Sequence, residues 1–129
     1  MNIEQAIALQ NQALNLAKAK RVEITVAITD GHGELISFAK MDGAAFHAAK
    51  LAQNKAYTSA RDRQPTSNLA KWAKETGKDM GYWSDARFTG IAGGVPIIFN
   101  GDVVGGIGIS GMSEQDDELF ANEVLNAVK

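Results

Sequence analysis

The clearest pattern along the chain is an alternation of apolar and polar side chains that begins after residue 23. Ile24, Val26 and Ile28 fall on one face of an extended chain, with polar or small residues between them. This period of two is typical of a half-buried strand. The segment 30–33, Asp-Gly-His-Gly, predicts a turn, and the chain returns as a second strand over 34–40. We therefore expect a β-hairpin in the first third of the chain.

Four segments have the features of helices. Residues 3–18 carry apolar side chains near helical spacing, and residues 44–61 are rich in alanine and lack glycine and proline. A third helix is predicted between Pro65 and Gly77, with a threonine at its start and the glycine as its stop. The last helix begins at Ser113, which forms a capping-box pattern with Asp116.

A second hairpin is predicted in the glycine-rich segment 93–111. Asn100-Gly101 is a strong hairpin signal, because a type I′ turn needs positive φ at both central residues. Pairing the strands around this turn leaves both faces of the hairpin largely apolar, so we expect both faces to be covered. Ile91 and its neighbours are a candidate for an additional strand.

The predicted order is one helix, two strands, two helices, three strands and one helix. Hairpin-connected strands imply an antiparallel sheet with helices packed on it, which is an α+β fold. The chain has no linker, repeat or low-complexity segment, so residues 1–129 are expected to form a single domain. Residues 78–89 hold three aromatic side chains among polar ones and are predicted to form a partly ordered loop over the domain surface.

Composition excludes several classes of function. The net charge is -2 and the basic residues are scattered, which argues against a general binder of nucleic acid or anionic membranes. The absence of cysteine excludes disulfides, thiolate metal sites and cysteine nucleophiles. No apolar run approaches the roughly 20 residues that a membrane span needs. The N-terminus lacks the pattern of a signal peptide, so a cytoplasmic protein is expected.

The segment Gly106–Gly111 matches the G-x-G-x-x-G pattern of dinucleotide-binding folds. Those folds need a further parallel strand and an acidic residue about 20 positions on. The few residues after Gly111 are predicted to form a helix, which excludes that fold. Gly106 and Gly108 instead clear one face of a strand for close approach. The approaching group is a helix, another subunit or a flat ligand.

The best candidate for an iron ligand is His47, in the first turn of the second helix. An imidazole at this place is able to ligate haem iron, although a lone helix histidine is more commonly an ordinary surface residue. Met41 is a second soft ligand or a packing residue, and Asp42 adds a polar group to the same loop. His32 is assigned to an exposed turn. No zinc motif or serine nucleophile elbow is present, so no catalytic residue is assigned.

Arg61 and Arg63 lie at the end of the second helix, on either side of Asp62. Guanidinium groups suit carboxylates, including those of a substrate or of haem propionates. The alternative is a solvated helix end with a local ion pair. Trp72 and the Tyr82-Trp83 pair form either an aromatic wall for a planar ligand or a cover for the core.

Several of these segments together resemble one known family. They are, in chain order, Val26-Ala27-Ile28-Thr29-Asp30 with Gly33, Met41-Asp42-Gly43, Lys55-Ala56-Tyr57-Thr58 with Pro65-Thr66, Gly93-Gly94-Val95-Pro96-Ile97 with Gly101, and Val104-Gly105-Gly106-Ile107-Gly108-Ile109-Ser110-Gly111 with Asp116. In this order they resemble the GlcG/HbpS family, which includes the C-terminal domain of PduO-type cobalamin adenosyltransferases. The resemblance spans nearly the whole chain, and the C-terminal block is its specific part.

The resemblance implies a profilin-like fold, with a five-stranded antiparallel sheet and helices on both faces. It also implies homo-oligomers built from dimers. Members are associated with haem binding, and some with cobalamin-related or small-molecule catabolic operons. The resemblance does not assign the family's axial iron ligands to positions of this sequence, so His47 is a candidate by its chemistry alone.

Three hypotheses about function follow. The first is a homo-oligomeric binding protein for haem or a related tetrapyrrole, with His47 as axial ligand and Arg61 or Arg63 on the propionates. The second is an enzyme, or an accessory subunit of a catabolic pathway, that acts on a small polar or carboxylated metabolite through Asp42, Lys55 or Arg61. The third is a structural oligomerisation module that uses the glycine face as its subunit contact.

Overall fold

The computed structural model describes residues 1–128, which form four α-helices, one short 3-10 helix and four strands. In chain order they are α1 (Ile3–Lys20), β1 (Thr25–Asp30), β2 (Leu35–Lys40), α2 (Ala48–Asp62), α3 (Thr66–Thr76), the 3-10 turn (Met80–Trp83), β3 (Gly94–Phe99), β4 (Asp102–Ser110) and α4 (Glu114–Ala127). The fold is therefore α+β, as predicted. None of these helices is both long and apolar enough to cross a membrane.

The four strands form one antiparallel sheet in the order β2-β1-β4-β3. Both predicted hairpins are present, and the central pair β1–β4 joins them, with Ala27 opposite Gly108. The expected fifth strand is wrong for the described residues. The Ile91 N–H bonds the Thr89 hydroxyl, and the Ile91 carbonyl accepts from the Thr66 hydroxyl. Side chains thus take the backbone groups that a fifth strand would pair.

Helices cover both faces of the sheet. The larger core lies between the sheet and helices α1 and α4, and its strand residues alternate along the sheet. Those strand residues are Val26, Ile28, Val95, Ile97, Ile107 and Ile109, and Ile24, just before β1, continues the pattern. The opposite face carries a smaller cluster in which Ala27 packs against Ala52 and Ala56 of α2.

Helix α2 begins four residues later than predicted. The segment 44–47 forms turns instead, because the Ala44 N–H bonds the Met41 carbonyl and the Ala48 N–H bonds the Ala45 carbonyl. His47 is the N-cap residue of α2 and supplies no side-chain cap. The neighbouring Phe46 side chain is fully exposed. The prediction of an N-cap at Ser113 is confirmed, since its hydroxyl accepts from the Asp116 N–H.

The glycines of β4 are the reason that α2 lies so close to the sheet. A Cβ added to Gly108 would lie 2.0 Å from the carbonyl oxygen of Ala52 and 2.7 Å from the amide nitrogen of Ala56. A Cβ added to Gly106 would lie 2.3 Å from the Ala56 carbonyl oxygen. Of the three groups considered for this face, the chain's own helix is the one that approaches. The face is therefore not open to a ligand or to a second subunit.

We predict that Gly108→Ala destabilises the protein by about 3 kcal/mol or more, because the helix must move away from the sheet. Urea unfolding measures this loss. Gly43→Ala is the matched control, since its added methyl group would meet only the side chain of Glu23. Equal unfolding midpoints for the two variants would contradict the close contact.

Candidate functional site

The most deeply buried charged group of the described chain is Lys55, in the middle of α2. Its Nζ donates to the Ile109 carbonyl at 2.8 Å and to Asp117 Oδ2 at 3.1 Å. The other carboxylate oxygen of Asp117, in the first turn of α4, accepts from the Met112 N–H at 3.1 Å. Because α2 and α4 cover opposite faces, this ion pair connects the two layers around the end of β4.

The surroundings of the Lys55–Asp117 pair change the pKa of the Asp117 carboxyl. Burial is the main cause and raises the pKa of the Asp117 carboxyl, while Lys55 and the Met112 N–H oppose that shift. Gly93 makes space for the pair. A Cβ at Gly93, where φ is +129°, would lie 2.8 Å from Lys55 Nζ and 2.5 Å from the Ile109 carbonyl oxygen. A side chain at position 93 would therefore displace the ammonium group.

A cleft of about 280 Å³ opens above the Lys55–Asp117 pair, between the starts of α2 and α4. It combines polar groups with apolar walls. The lining residues are Ala45, His47, Leu51, Lys55, Ile91, Ser110, Gly111, Met112, Glu114 and Asp117. His47 is a candidate from the sequence, whereas Asp117 and Glu114 have the pattern of ordinary acidic residues at a helix start and are not predicted.

A second polar cluster lies at the other end of α2, around the buried Tyr57. The Tyr57 hydroxyl donates to Asp85 Oδ2, and the Arg87 guanidinium lies 3.6 Å from the centre of the Tyr57 ring. The hydrogen bond from Tyr57 is the largest cause that lowers the pKa of Asp85, and the Arg87 N–H adds to it. The Asp85 carboxylate therefore anchors the segment 78–89 to α2.

The aromatic residues are only partly brought together. Trp72 and Trp83 lie 5.5 Å apart between ring centres, and Trp83 and Phe88 lie 5.0 Å apart. Phe88 meets Tyr57 edge-on at 6.0 Å. Tyr82 instead faces the Lys78 ammonium and is exposed. Trp72 and Trp83 thus pack against each other and are connected to Tyr57 of α2 through Phe88. The choice between an aromatic wall and a covering role stays a prediction.

The candidates in the loop before α2 have different surroundings. His47 is exposed at the rim of the cleft, and Asp42 is exposed in the preceding turn. Met41 is half-buried, and its sulfur accepts from the Ile24 N–H at 3.4 Å. The Met41 side chain also packs against the larger core. Within this loop, His47 is therefore the group best placed to meet a ligand.

The two arginines do not join His47. Arg61 Nη1 donates to the His32 carbonyl at 3.0 Å, and Arg63 Nη1 donates to the Val103 carbonyl at 3.0 Å. Positions 47 and 61 are roughly 21 Å apart along α2 at the usual helical rise. A single haem with its iron on His47 does not reach Arg61 of the same chain. Among the described residues, no cluster of three or more His, Asp or Glu is placed to hold a metal ion.

The sheet between helices and the cleft at the helix starts define a small α+β protein with a polar surface cleft. The chain belongs to the HbpS-like family, described as "Haem degrading protein HbpS-like", whose model matches residues 1–126. The family resemblance drawn from the sequence motifs is thereby confirmed.

Related proteins agree with this assignment. An uncharacterised 15.0 kDa protein from the dhaT-dhaS intergenic region of Citrobacter freundii is 29% identical over 126 residues, which is 93% of this chain and 89% of that protein. The crystal structure of HbpS superposes with a TM-score of 0.90 and 27% identity, over 100% of this chain and 90% of that one. The PduOC:heme complex superposes with a TM-score of 0.88 and 26% identity, over 98% of this chain and 94% of that one.

We predict that Lys55→Met costs about 3–5 kcal/mol of stability, because it leaves the buried Asp117 carboxylate without its partner. The double variant Lys55→Met/Asp117→Leu removes both charges and should recover most of this loss. Urea unfolding of the wild type and both variants measures the difference. A double variant as unstable as the single one would show that the buried charge is not the cause.

We predict a pH dependence for Asp85→Asn. The pKa of Asp85 in the folded protein lies below its ordinary value of 3.8, so its stabilising effect is present above that value and is lost as the pH falls through the lowered pKa. The difference in unfolding free energy between wild type and Asp85→Asn should therefore shrink from about pH 5 to about pH 2. Tyr57→Phe should weaken this dependence. A constant difference would contradict the role of the carboxylate.

Proposed function

We propose that this protein binds haem. The observation that carries the proposal is the likeness to the PduOC:heme complex, which extends over 98% of the chain at 26% identity. Membership of a family described as haem degrading supports the same ligand. Both similarities support the hypothesis from the sequence that the protein binds haem or a related tetrapyrrole.

His47 is the proposed axial ligand. Its imidazole is exposed at the rim of the cleft, and a neutral imidazole nitrogen is a common ligand of haem iron. The adjacent Phe46 is fully exposed, and Ile91 on the other side of the cleft is also exposed, so apolar surface is available to a flat macrocycle. At about 280 Å³ the cleft is at the small end of ligand pockets. The macrocycle would therefore lie across its mouth.

Arg61 and Arg63 lie too far along α2 from His47 to bind the propionates of a haem whose iron is on His47. Lys50 is exposed and follows His47 by three positions, so both side chains lie on one side of the helix. We assign the propionates to Lys50 instead of Arg61 or Arg63. Met41 supports the loop that carries His47, because its sulfur accepts from the Ile24 N–H, and Asp42 is an exposed polar group of the same loop. Gly106 and Gly108 support the site only indirectly, by holding α2 against the sheet.

We also infer that the chain forms homo-oligomers, as the family resemblance implies. The edge strand β3 ends in the exposed side chains Ile98 and Phe99, beside a groove of about 360 Å³ that Val128 also lines. This apolar edge is a better subunit contact than the glycine face, which α2 already covers. The cytoplasmic location remains a prediction from the sequence.

A second candidate function, the binding of a small polar metabolite, is favoured by one observation. The cleft has a buried lysine at its base, and such a group is useful to a ligand with an oxygen atom. Of the three residues first considered for this role, only Lys55 lines the cleft.

We predict that hemin added to the purified protein gives a saturable Soret shift, and that His47→Ala weakens its affinity by about tenfold or more. Absorbance titration measures both. His32→Ala is the control, because His32 lies in the turn at the other end of α2 and should keep wild-type affinity. The absence of a Soret shift would refute haem binding. An unchanged affinity in His47→Ala would refute only the assigned ligand.

A further inference from the structure

The ammonium group of Lys55 has hydrogen-bonding capacity that the described chain does not use. It carries three N–H bonds, and its two acceptors are the Ile109 carbonyl and Asp117 Oδ2. One N–H bond is left over. Lys55 is 1% exposed, yet it contributes to the lining of the cleft. A ligand oxygen that enters the cleft supplies the missing acceptor.

The charges around the cleft decide what kind of oxygen this is. The positive charge of Lys55 is already balanced by Asp117 at 3.1 Å. A second carboxylate, Glu114, stands in the lining and accepts from the Ala92 N–H at 2.9 Å. An anionic ligand would therefore meet no surplus positive charge and one additional negative group. A neutral acceptor such as a carbonyl oxygen avoids this repulsion.

Further polar groups lie on the sheet side of the cleft. Ser110 is 4% exposed and lines the cleft. Its cross-strand neighbour on β1 is Thr25, whose Oγ1 is buried and has no hydrogen-bond partner among the described residues. Native proteins rarely leave such an atom unpaired, and a buried water commonly completes it. Thr25 does not line the cleft, so Ser110 is the polar group that the sheet end presents to an occupant.

The remaining lining is apolar and limits the size of the ligand. Leu51, Ile91 and Met112 contribute hydrophobic side chains, and the volume of about 280 Å³ is at the small end for a ligand pocket. A short aliphatic chain attached to the oxygen-bearing group matches this surface.

We propose that the cleft binds a short neutral carbonyl compound, a small aliphatic aldehyde or ketone, whose oxygen accepts a hydrogen bond from Lys55 Nζ. Its alkyl chain packs on Leu51 and Ile91. This goes beyond haem binding, because the carbonyl site lies inside the cleft at Lys55, whereas the macrocycle lies across the mouth at His47. The small ligand and haem therefore bind at separate depths of one cleft.

The test is titration of uniformly ¹⁵N-labelled protein with butan-2-one, followed by amide chemical shifts in the absence of haem. Saturable shifts are expected at Leu51, Ile91 and residues 110–112. Butyrate, a carboxylate of similar size, should bind at least about tenfold more weakly. Shifts that do not saturate, shifts centred elsewhere, or equal or tighter binding of butyrate would overturn the proposal.

Three variants, one of them a control, test where butan-2-one binds. Ala45→Trp places a large side chain at an exposed position of the lining and should weaken butan-2-one binding at least about tenfold. Ala19→Trp, on the exposed C-terminal end of α1, is the matched control with unchanged affinity. The double variant Lys55→Met/Asp117→Leu removes the donor and should abolish binding. Unchanged affinity in Ala45→Trp overturns the proposal without any need for the double variant to fold.

The haem titration and the ketone titration give independent answers. A failed Soret shift with saturable ketone binding would refute haem binding and leave the carbonyl site standing. A Soret shift without ketone binding would do the reverse.

Discussion

The close approach of α2 to the sheet positions the buried Lys55 and, through it, the cleft. Gly94 of β3 lies opposite Gly108 of β4, and Gly106 of β4 lies opposite Pro96 of β3. The three glycines therefore form one patch on the sheet. Carbonyl oxygens of α2 occupy the places where their side chains would be. Backbone therefore packs against backbone, and the buried side chains Ala52 and Ala56 are small enough to permit it.

This short distance gives Lys55 its unusual position. From a helix held against the sheet, its side chain reaches the Ile109 carbonyl and Asp117 at the end of β4. The result is an ion pair between helices of opposite layers, buried from water. Such a pair contributes little net stability compared with apolar packing, but it is costly to break on one side only. It fixes how the starts of α2 and α4 stand relative to each other, and the cleft opens between those two starts.

The relatives and the cleft describe complementary parts of function. The likeness to a haem complex supports the proposal of haem binding, and the exposed His47 is our proposed iron ligand because Phe46 beside it offers apolar surface. The buried Lys55 lies too deep for a macrocycle and is suited to a small oxygen-bearing molecule. A site with an outer imidazole and an inner ammonium group therefore has room for two kinds of chemistry in one small protein.

The element types, both hairpins, the family and the importance of the glycine-rich block could be predicted from the sequence. These follow from local periodicity, turn chemistry and motif order, which need no knowledge of distant contacts. The three-dimensional structure is needed to see that the sheet has four strands among the described residues. The hydroxyl of Thr66, which is distant in sequence, and the hydroxyl of the nearby Thr89 bond the backbone of Ile91. The tertiary structure also decided that α2 covers Gly106 and Gly108, that Arg61 lies far from His47, and that Lys55 meets Asp117. The last contact joins residues 62 positions apart, and no local pattern encodes a distance of that kind.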